Sequence, residues 1–140
     1  MEILLVEDNL ADARAAMQVL DHGHVRCRVS LVRDGEEALA FLYRRGIFAK
    51  APRPDLIMLD TQLPKKNGCA VLREIQGADE LKEIPVVVMS TAETCQTLLA
   101  GACFAVLDFM PKPLDAERFV GMVKSLHYSL LVELVAESMA

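Results

Sequence analysis

Apolar runs recur along the chain, each bounded by residues that favour turns. A run without a polar position predicts a strand buried on both faces, as in a parallel sheet with helices on each side. Three such runs lie at 3–6, 56–59 and 86–89. Segment 25–32 instead alternates apolar with polar residues, which predicts a half-exposed edge strand. A weaker apolar stretch at 104–110, interrupted by an aspartate, predicts a fifth strand.

Segments with apolar residues at helical spacing separate these strands and predict helices. One follows Asn9, one begins at Asp34, two span 68–77 and 92–101, and the last begins near Leu114. The second helix is expected to turn four residues inward: Ala38, Leu39, Leu42 and Tyr43. The segment that follows this helix, from Arg44 to Pro54, is expected to be irregular. Strand and helix thus alternate five times, which predicts an α/β fold with a parallel sheet and right-handed crossovers.

The composition fits one globular domain that needs no metal or disulfide scaffold. Of 140 residues, 53% are hydrophobic and 25% are charged, which allows a sizeable core. The formal net charge of −5 argues against a nucleic-acid surface. Four widely spaced cysteines without a patterned histidine predict reduced cysteines and no zinc site. Since no signal peptide or membrane span is predicted, we expect a cytoplasmic protein.

Polar side chains follow the predicted strands where each strand ends. Glu7 and Asp8 follow the first run, Asp60 the central run, Ser90 the next, and Lys112 the fifth. Because parallel strands end at the same edge of a sheet, we expect these groups to share a crevice. Clustered carboxylates favour a hard cation, and oxygen-only ligation suits Mg²⁺. An ionised Asp60 could then attack phosphorus, with a hydroxyl and an ammonium near the transferred oxygens.

Each of these residues also has a simpler interpretation on its own. Asp60 could be a solvated loop residue or a helix cap. Glu7 and Asp8 could be first-turn acids that face a helix dipole. Ser90 could be a cap, and Lys112 a solvated surface lysine. Their conjunction at successive strand ends favours a shared site.

Five motifs support this interpretation by resemblance to a known family. They are Leu5-Val6-Glu7-Asp8-Asn9, Pro54-Asp55-Leu56-Ile57-Met58-Leu59-Asp60, Leu63-Pro64 with Gly68, Ile84-Pro85-Val86-Val87-Val88-Met89-Ser90, and Lys112-Pro113. Together they resemble the receiver domain of two-component response regulators, over nearly the whole chain. The resemblance implies a flavodoxin-like (βα)5 fold, a doubly wound parallel sheet with strand order 2-1-3-4-5.

The resemblance also implies a phosphoacceptor and a metal site. Asp60 would take a phosphoryl group from a histidine kinase or phosphotransfer protein. Mg²⁺ would be bound by Asp8, Asp60 and the backbone carbonyl of Gln62. Glu7 would act largely through metal-bound water.

Further roles follow from the same resemblance. Ser90 stands where the family has its switch hydroxyl, although Thr91 beside it is an alternative contact for the phosphoryl group. Phe109 stands at the switch aromatic, and Lys112 at the phosphate-binding lysine. The only catalysis implied is self-catalysed phosphotransfer and dephosphorylation, so we expect a switch and not an enzyme. The chain looks most like the stand-alone regulators that serve bacterial phytochromes.

Three other functions fit the sequence less well. An aspartyl-nucleophile phosphatase would carry a second carboxylate two residues after Asp60, where this chain has Gln62. A receiver-fold scaffold without phosphotransfer is disfavoured by the intact set of polar residues. Flavin mononucleotide binding is disfavoured because Glu7 and Asp8 would repel the cofactor phosphate.

The last residues of the chain predict an interface. Residues 1–127 are expected to form the receiver domain, and 128–140 an apolar extension of the last helix, with no separate output domain. The apolar positions of this stripe are Leu126, Leu130, Leu131, Leu134 and Val135. We expect them to form a symmetric homodimer through the last helix; a helix folded back on its own core is the alternative. No nucleic-acid or membrane partner is expected.

Overall fold

A computed structural model describes residues 1–21, 27–63, 65, 68–90, 108–112, 114–115, 117–122 and 124–125. Five parallel strands form a single sheet: β1 (Glu2–Val6), β2 (Arg28–Val32), β3 (Leu56–Asp60), β4 (Val86–Ser90) and β5 (Asp108–Pro111). Their order across the sheet is β2-β1-β3-β4-β5. This confirms the flavodoxin-like order expected from the family resemblance, with the predicted edge strand β2 at one side.

The helices follow the strands as the periodicity predicts. They are α1 (Leu10–Asp21), α2 (Gly35–Leu42) and α3 (Gly68–Gly77), with a 3₁₀ turn at Gly46–Phe48 and a C-terminal helical stretch at 117–122 and 124–125. The predicted helix at 92–101 and the apolar stripe from Leu126 onward lie outside the described residues. Among the helices that are described, none combines the length and the apolar character needed to cross a bilayer.

Short polar side chains fix where the helices begin. Asn9 Oδ1 accepts hydrogen bonds from the backbone N–H groups of Ala11 and Asp12, at 2.9 and 3.1 Å. Asp34 Oδ1 caps α2 by accepting from the Glu37 N–H at 2.8 Å. These bonds satisfy donors that a helix leaves free at its first turn, and they confirm both predicted helix starts.

The core lies in two layers, one on each face of the sheet. Successive residues of a strand point to opposite faces of the sheet. On one face, Ile57 and Leu59 of β3 pack against α2 and α3. On the other face, Leu56 and Met58 pack against α1 and Phe119. These four strand residues are at most 1% exposed. Both faces of β3 are therefore buried, as the uninterrupted apolar run predicts. Polar side chains can reach water only where the strand ends.

Three of the residues expected to turn inward from α2, namely Ala38, Leu39 and Leu42, are buried. Tyr43 packs against the same core but is only half-buried, because α2 ends at Leu42 and Tyr43 follows as its C-cap, with the Arg45 guanidinium 4.5 Å from the centre of its ring. Phe41 is the buried aromatic instead, and its ring lies 5.5 Å from that of Phe48. The predicted fifth strand is present as β5, and Asp108, which interrupts the apolar stretch in the sequence, pairs with Val87 as part of the ladder. Residues 104–107 of the predicted stretch lie outside the described residues. Backbone pairing at an edge strand does not depend on an apolar side chain.

Candidate functional site

The carboxyl ends of three strands bring together residues that are far apart in the chain. Val6 of β1 lies opposite Leu59 of β3, so Glu7 and Asp60 emerge side by side. Lys112 directly follows β5, two strands away, and its side chain extends back to both acids. The predicted convergence of Glu7, Asp60 and Lys112 is therefore present in the folded chain.

The ammonium of Lys112 is the centre of this arrangement. Its Nζ lies 2.6 Å from Glu7 Oε2, 3.1 Å from Asp60 Oδ2 and 3.0 Å from Asp12 Oδ2. An ammonium has three N–H donors and no acceptor. Each donor of Lys112 is thus paired with a different carboxylate.

The two acids at the strand ends are almost completely buried. The side chain of Glu7 is 1% exposed and that of Asp60 is 6% exposed. Glu7 Oε1 accepts from the Asn9 N–H and Asp60 Oδ1 accepts from the Gln62 N–H, both at 3.1 Å. Backbone donors therefore hold one oxygen of each carboxylate, and Lys112 holds the other. This pairing offsets part of the cost of burying two negative charges together.

Burial and hydrogen bonding together set the pKa values of Glu7 and Lys112. Desolvation raises the pKa of the Glu7 carboxyl from 4.5 to about 7, although the hydrogen bond from Lys112 lowers it and the neighbouring Asp60 raises it again. For Lys112, burial alone lowers the pKa, but the bonds to Glu7, Asp12 and Asp60 outweigh it and raise the pKa above its ordinary value. The lysine accordingly stays charged at neutral pH.

The acids also meet the requirements of a divalent cation. Glu7, Asp8 and Asp60 each offer a carboxylate oxygen, and these oxygens all lie within 4.8 Å of one another. Asp8 is half-buried and faces an open cleft that is also lined by Asp34 and Lys65. An all-oxygen set with excess negative charge suits Mg²⁺ or a similar hard cation. The residues present therefore fit the metal that the motifs imply.

A fourth carboxylate of the site, Asp12, was not anticipated from the sequence. It lies in the first turn of α1, and its side chain is 43% exposed. Because Asn9 caps this helix, the helix start is fixed beside the end of β1. The sequence does show an acid one helical turn after Asp8. Such an acid cannot be distinguished from an ordinary first-turn acid that favours a helix N-terminus.

Comparison with known protein families identifies the family of this chain. A sequence model of the response regulator receiver domain matches residues 3–124. The chain belongs to the response regulator receiver domain family. It is accordingly a response regulator of two-component signalling.

Relatives of this receiver domain include regulators of phytochromes. Response regulator Rcp1 of a Synechocystis species is 39% identical over 124 residues, which cover 89% of this chain and 84% of Rcp1. The solved structure of the phosphorylated cyanobacterial phytochrome response regulator RcpA is 42% identical, with a TM-score of 0.75 and 89% of each chain covered. The bacteriophytochrome response regulator AtBRR is 34% identical, with a TM-score of 0.81, over 90% of this chain and 91% of its own.

A glycine lets the segment after β3 approach the end of that strand closely. The Gly68 N–H donates to the Thr61 carbonyl at 3.2 Å. A Cβ atom on Gly68 would overlap the backbone carbonyl oxygen of Asp60 and lie 2.7 Å from Thr61 Cα. This close approach of two backbone segments explains why the motif requires glycine here.

The two residues that the family resemblance assigns to switching are described in part. Ser90 lies opposite Pro111 in the β4–β5 ladder, so its backbone is next to the segment that carries Lys112. The side chains of Ser90 and Phe109, and all of Thr91, lie outside the described residues. Their roles remain predictions.

Proposed function

We propose that this response regulator accepts a phosphoryl group on Asp60 and signals through changed protein contacts. The observation that supports the proposal most directly is the position of Asp60. It is a buried carboxylate at the end of the central strand, 3.1 Å from the Lys112 ammonium and within 4.8 Å of two further acids. An acceptor oxygen next to a fixed cation suits electrostatic stabilisation of phosphoryl transfer.

The chemistry would proceed as an in-line displacement at phosphorus. An Asp60 oxygen forms the new bond to phosphorus while the bond to the nitrogen of the donor histidine breaks. Lys112 binds an oxygen of the transferred group, and Ser90 or Thr91 binds another. Mg²⁺ would supply positive charge that neutralises the phosphoryl oxygens. The ion would be held by Asp8, Asp60 and the Gln62 carbonyl, with Glu7 contributing through water. The Mn²⁺-bound structure of Rcp1, 38% identical to this chain, supports a divalent ion.

Asp60→Asn should abolish phosphorylation by acetyl phosphate. With Mg²⁺ present, the wild-type protein should gain one phosphoryl group by intact-mass measurement, and EDTA should prevent the gain. Asp55→Asn is the matched control, because Asp55 lies at the other end of β3 and binds the Glu2 N–H at 2.8 Å; it should label like wild type. Labelling of Asp60→Asn at the wild-type rate would place the acceptor elsewhere. An unlabelled wild-type protein would favour a scaffold of receiver fold.

The phosphoryl donor would be a histidine kinase or phosphotransfer protein in the cytoplasm, of the kind associated with bacteriophytochromes. The relatedness to Rcp1, RcpA and AtBRR supports this partner. A dianionic group on Asp60 would draw the Ser90 hydroxyl inward and let Phe109 turn toward the space it leaves. The output is a change of protein contacts, without a nucleic-acid or membrane partner. Catalysis is limited to self-catalysed phosphotransfer and dephosphorylation.

We further propose that the receiver domain comprises residues 1–127 and that residues 128–140 extend its last helix. Two copies of the chain would pair through this helix as a homodimer. The apolar stripe in the sequence supports this proposal, since such stripes are usually covered by a second subunit. Leu130→Glu/Leu134→Glu should therefore convert a dimer into a monomer at micromolar concentration, as measured by sedimentation. Wild-type monomers with and without phosphodonor would contradict the proposal.

A further inference from the structure

A basic loop lies at the edge of the sheet opposite the acidic site. It spans residues 43–54 and contains no acid, although the whole chain has a formal net charge of −5. The loop ends two residues before β3 begins, whereas Asp60 is the last residue of that strand. A partner bound to the loop would therefore leave Asp60 uncovered. The exposed cationic residues of the loop are Arg44, Arg45, Lys50 and Arg53.

Contacts with the rest of the domain hold the basic loop in place. Phe48 packs against the core beneath it. Arg53 Nη1 donates to the Glu80 carbonyl at 2.6 Å, and the Arg45 guanidinium lies 4.5 Å from the centre of the Tyr43 ring. A guanidinium has five N–H donors, so the bond to Glu80 leaves donors of Arg53 for a ligand. Two cationic groups are thus positioned before a partner binds, which lowers the entropy cost of association.

A cleft of about 190 Å³ lies between the basic loop and the segment that leads into β4. Typical small-molecule sites measure roughly 300–1,000 Å³, so this cleft suits one apolar side chain of a larger partner. Ile47 of the same loop is 91% exposed and adds apolar surface beside the cations. The buried residues that line the cleft are apolar: Leu42, Pro54, Leu81 and Ile84. Its exposed lining residues are Arg44, Arg53 and Glu80.

We propose that the basic loop and its cleft bind an acidic segment of a partner protein, in which an apolar residue lies between carboxylates. The apolar side chain enters the cleft, and the flanking carboxylates pair with Arg44 and Arg53 in the two-bond geometry that guanidinium and carboxylate share. Nucleic acid and a membrane surface fit less well. The cleft is concave and apolar inside, Glu80 lies among its lining residues, and the net charge of −5 repels an extended polyanion.

The peptide Glu-Glu-Leu-Glu-Glu is a direct probe of this surface. Titrated into the ¹⁵N-labelled full chain, it should shift the backbone amide signals of Arg44, Arg53 and Leu81, with a Kd of about 1 mM or lower. Replacing its leucine with serine should weaken binding about tenfold, because one buried leucine side chain is lost. Added salt should weaken binding further, since exposed charges are screened.

Charge reversal separates the proposed arginines from the overall charge of the protein. Arg44→Glu and Arg53→Glu should each weaken peptide binding about fivefold or more, whereas Arg44→Lys should bind close to wild type. Arg28→Glu is the matched control, because it makes the same change of charge at an 81% exposed arginine of β2; it should bind like wild type. All four variants should keep the wild-type melting temperature and the wild-type rate of labelling by acetyl phosphate.

Three results would overturn the proposal: no amide shifts at millimolar peptide, shifts confined to residues away from the basic loop, or equal weakening in Arg28→Glu and Arg44→Glu. Phosphatidylglycerol vesicles or a single-stranded oligonucleotide that shift the same amides more strongly than the peptide would also overturn the acidic protein segment as the partner. Loss of phosphorylation in the wild-type protein would contradict the proposed function and leave this inference standing.

Discussion

Lys112→Met is expected to lower the free energy of unfolding of the metal-free protein by about 3–5 kcal/mol, the cost typical of removing one partner from a buried ion pair. Methionine fills much of the volume of the lysine side chain but offers no charge or donor. Glu7 and Asp60 would then face each other in a site where their side chains are 1% and 6% exposed. Each would also lose a charge-assisted hydrogen bond.

Urea unfolding in EDTA, followed by circular dichroism because the chain has no tryptophan, measures this loss. Lys82→Met is the control: Lys82 pairs with Asp79 at 3.1 Å on the surface, so its loss should cost less than about 1 kcal/mol. Adding Glu7→Gln to Lys112→Met should restore part of the stability, since it removes a carboxyl that must otherwise be buried beside Asp60 as an unpaired charge or take up a proton. Equal losses for the two lysine variants would show that Lys112 is not the charge that stabilises the acidic cluster.

Gly68→Ala is expected to cost about 2–3 kcal/mol of stability, in the range of overpacked cores, and to slow phosphorylation by about 100-fold. The added methyl group would overlap the Asp60 carbonyl oxygen and lie 2.7 Å from Thr61 Cα. Both obstacles are backbone atoms, which cannot rotate aside as a flexible side chain would. The loop after β3 would therefore have to move, and Asp60 would move with it.

Gly77→Ala provides a control at the other end of the same helix. A Cβ atom on Gly77 would meet nothing within 4 Å, and alanine favours helix over glycine by up to about 1 kcal/mol. This variant should be as stable as wild type or more stable, and it should accept phosphoryl groups at the wild-type rate. A similar loss of stability in both variants would attribute the effect to helix α3 in general and not to the contact of Gly68.

Several features of this protein follow from local sequence alone. The apolar runs of β1, β3 and β4 have no polar position, and a strand of that composition is stable only with both faces covered. Asn9 and Asp34 mark helix starts because their side chains satisfy donors within the next three residues. The acids at the strand ends can also be recognised from the sequence, because each follows an apolar run at the point where the chain leaves the core. The strand order, by contrast, came from family resemblance.

The pairing inside the site was decided only by the tertiary structure. Lys112 reaches Glu7, Asp12 and Asp60 across separations of 105, 100 and 52 residues, and no local pattern specifies which acids a distant lysine will meet. Asp12 resembles any first-turn acid until the sheet places Lys112 beside it. The burial of Phe41 in place of Tyr43 has a similar cause, because the end of α2 and the packing of Phe48 select the inward ring. Local composition determined where strands end and carboxylates appear, whereas the geometry of the sheet determined which of them share one cation.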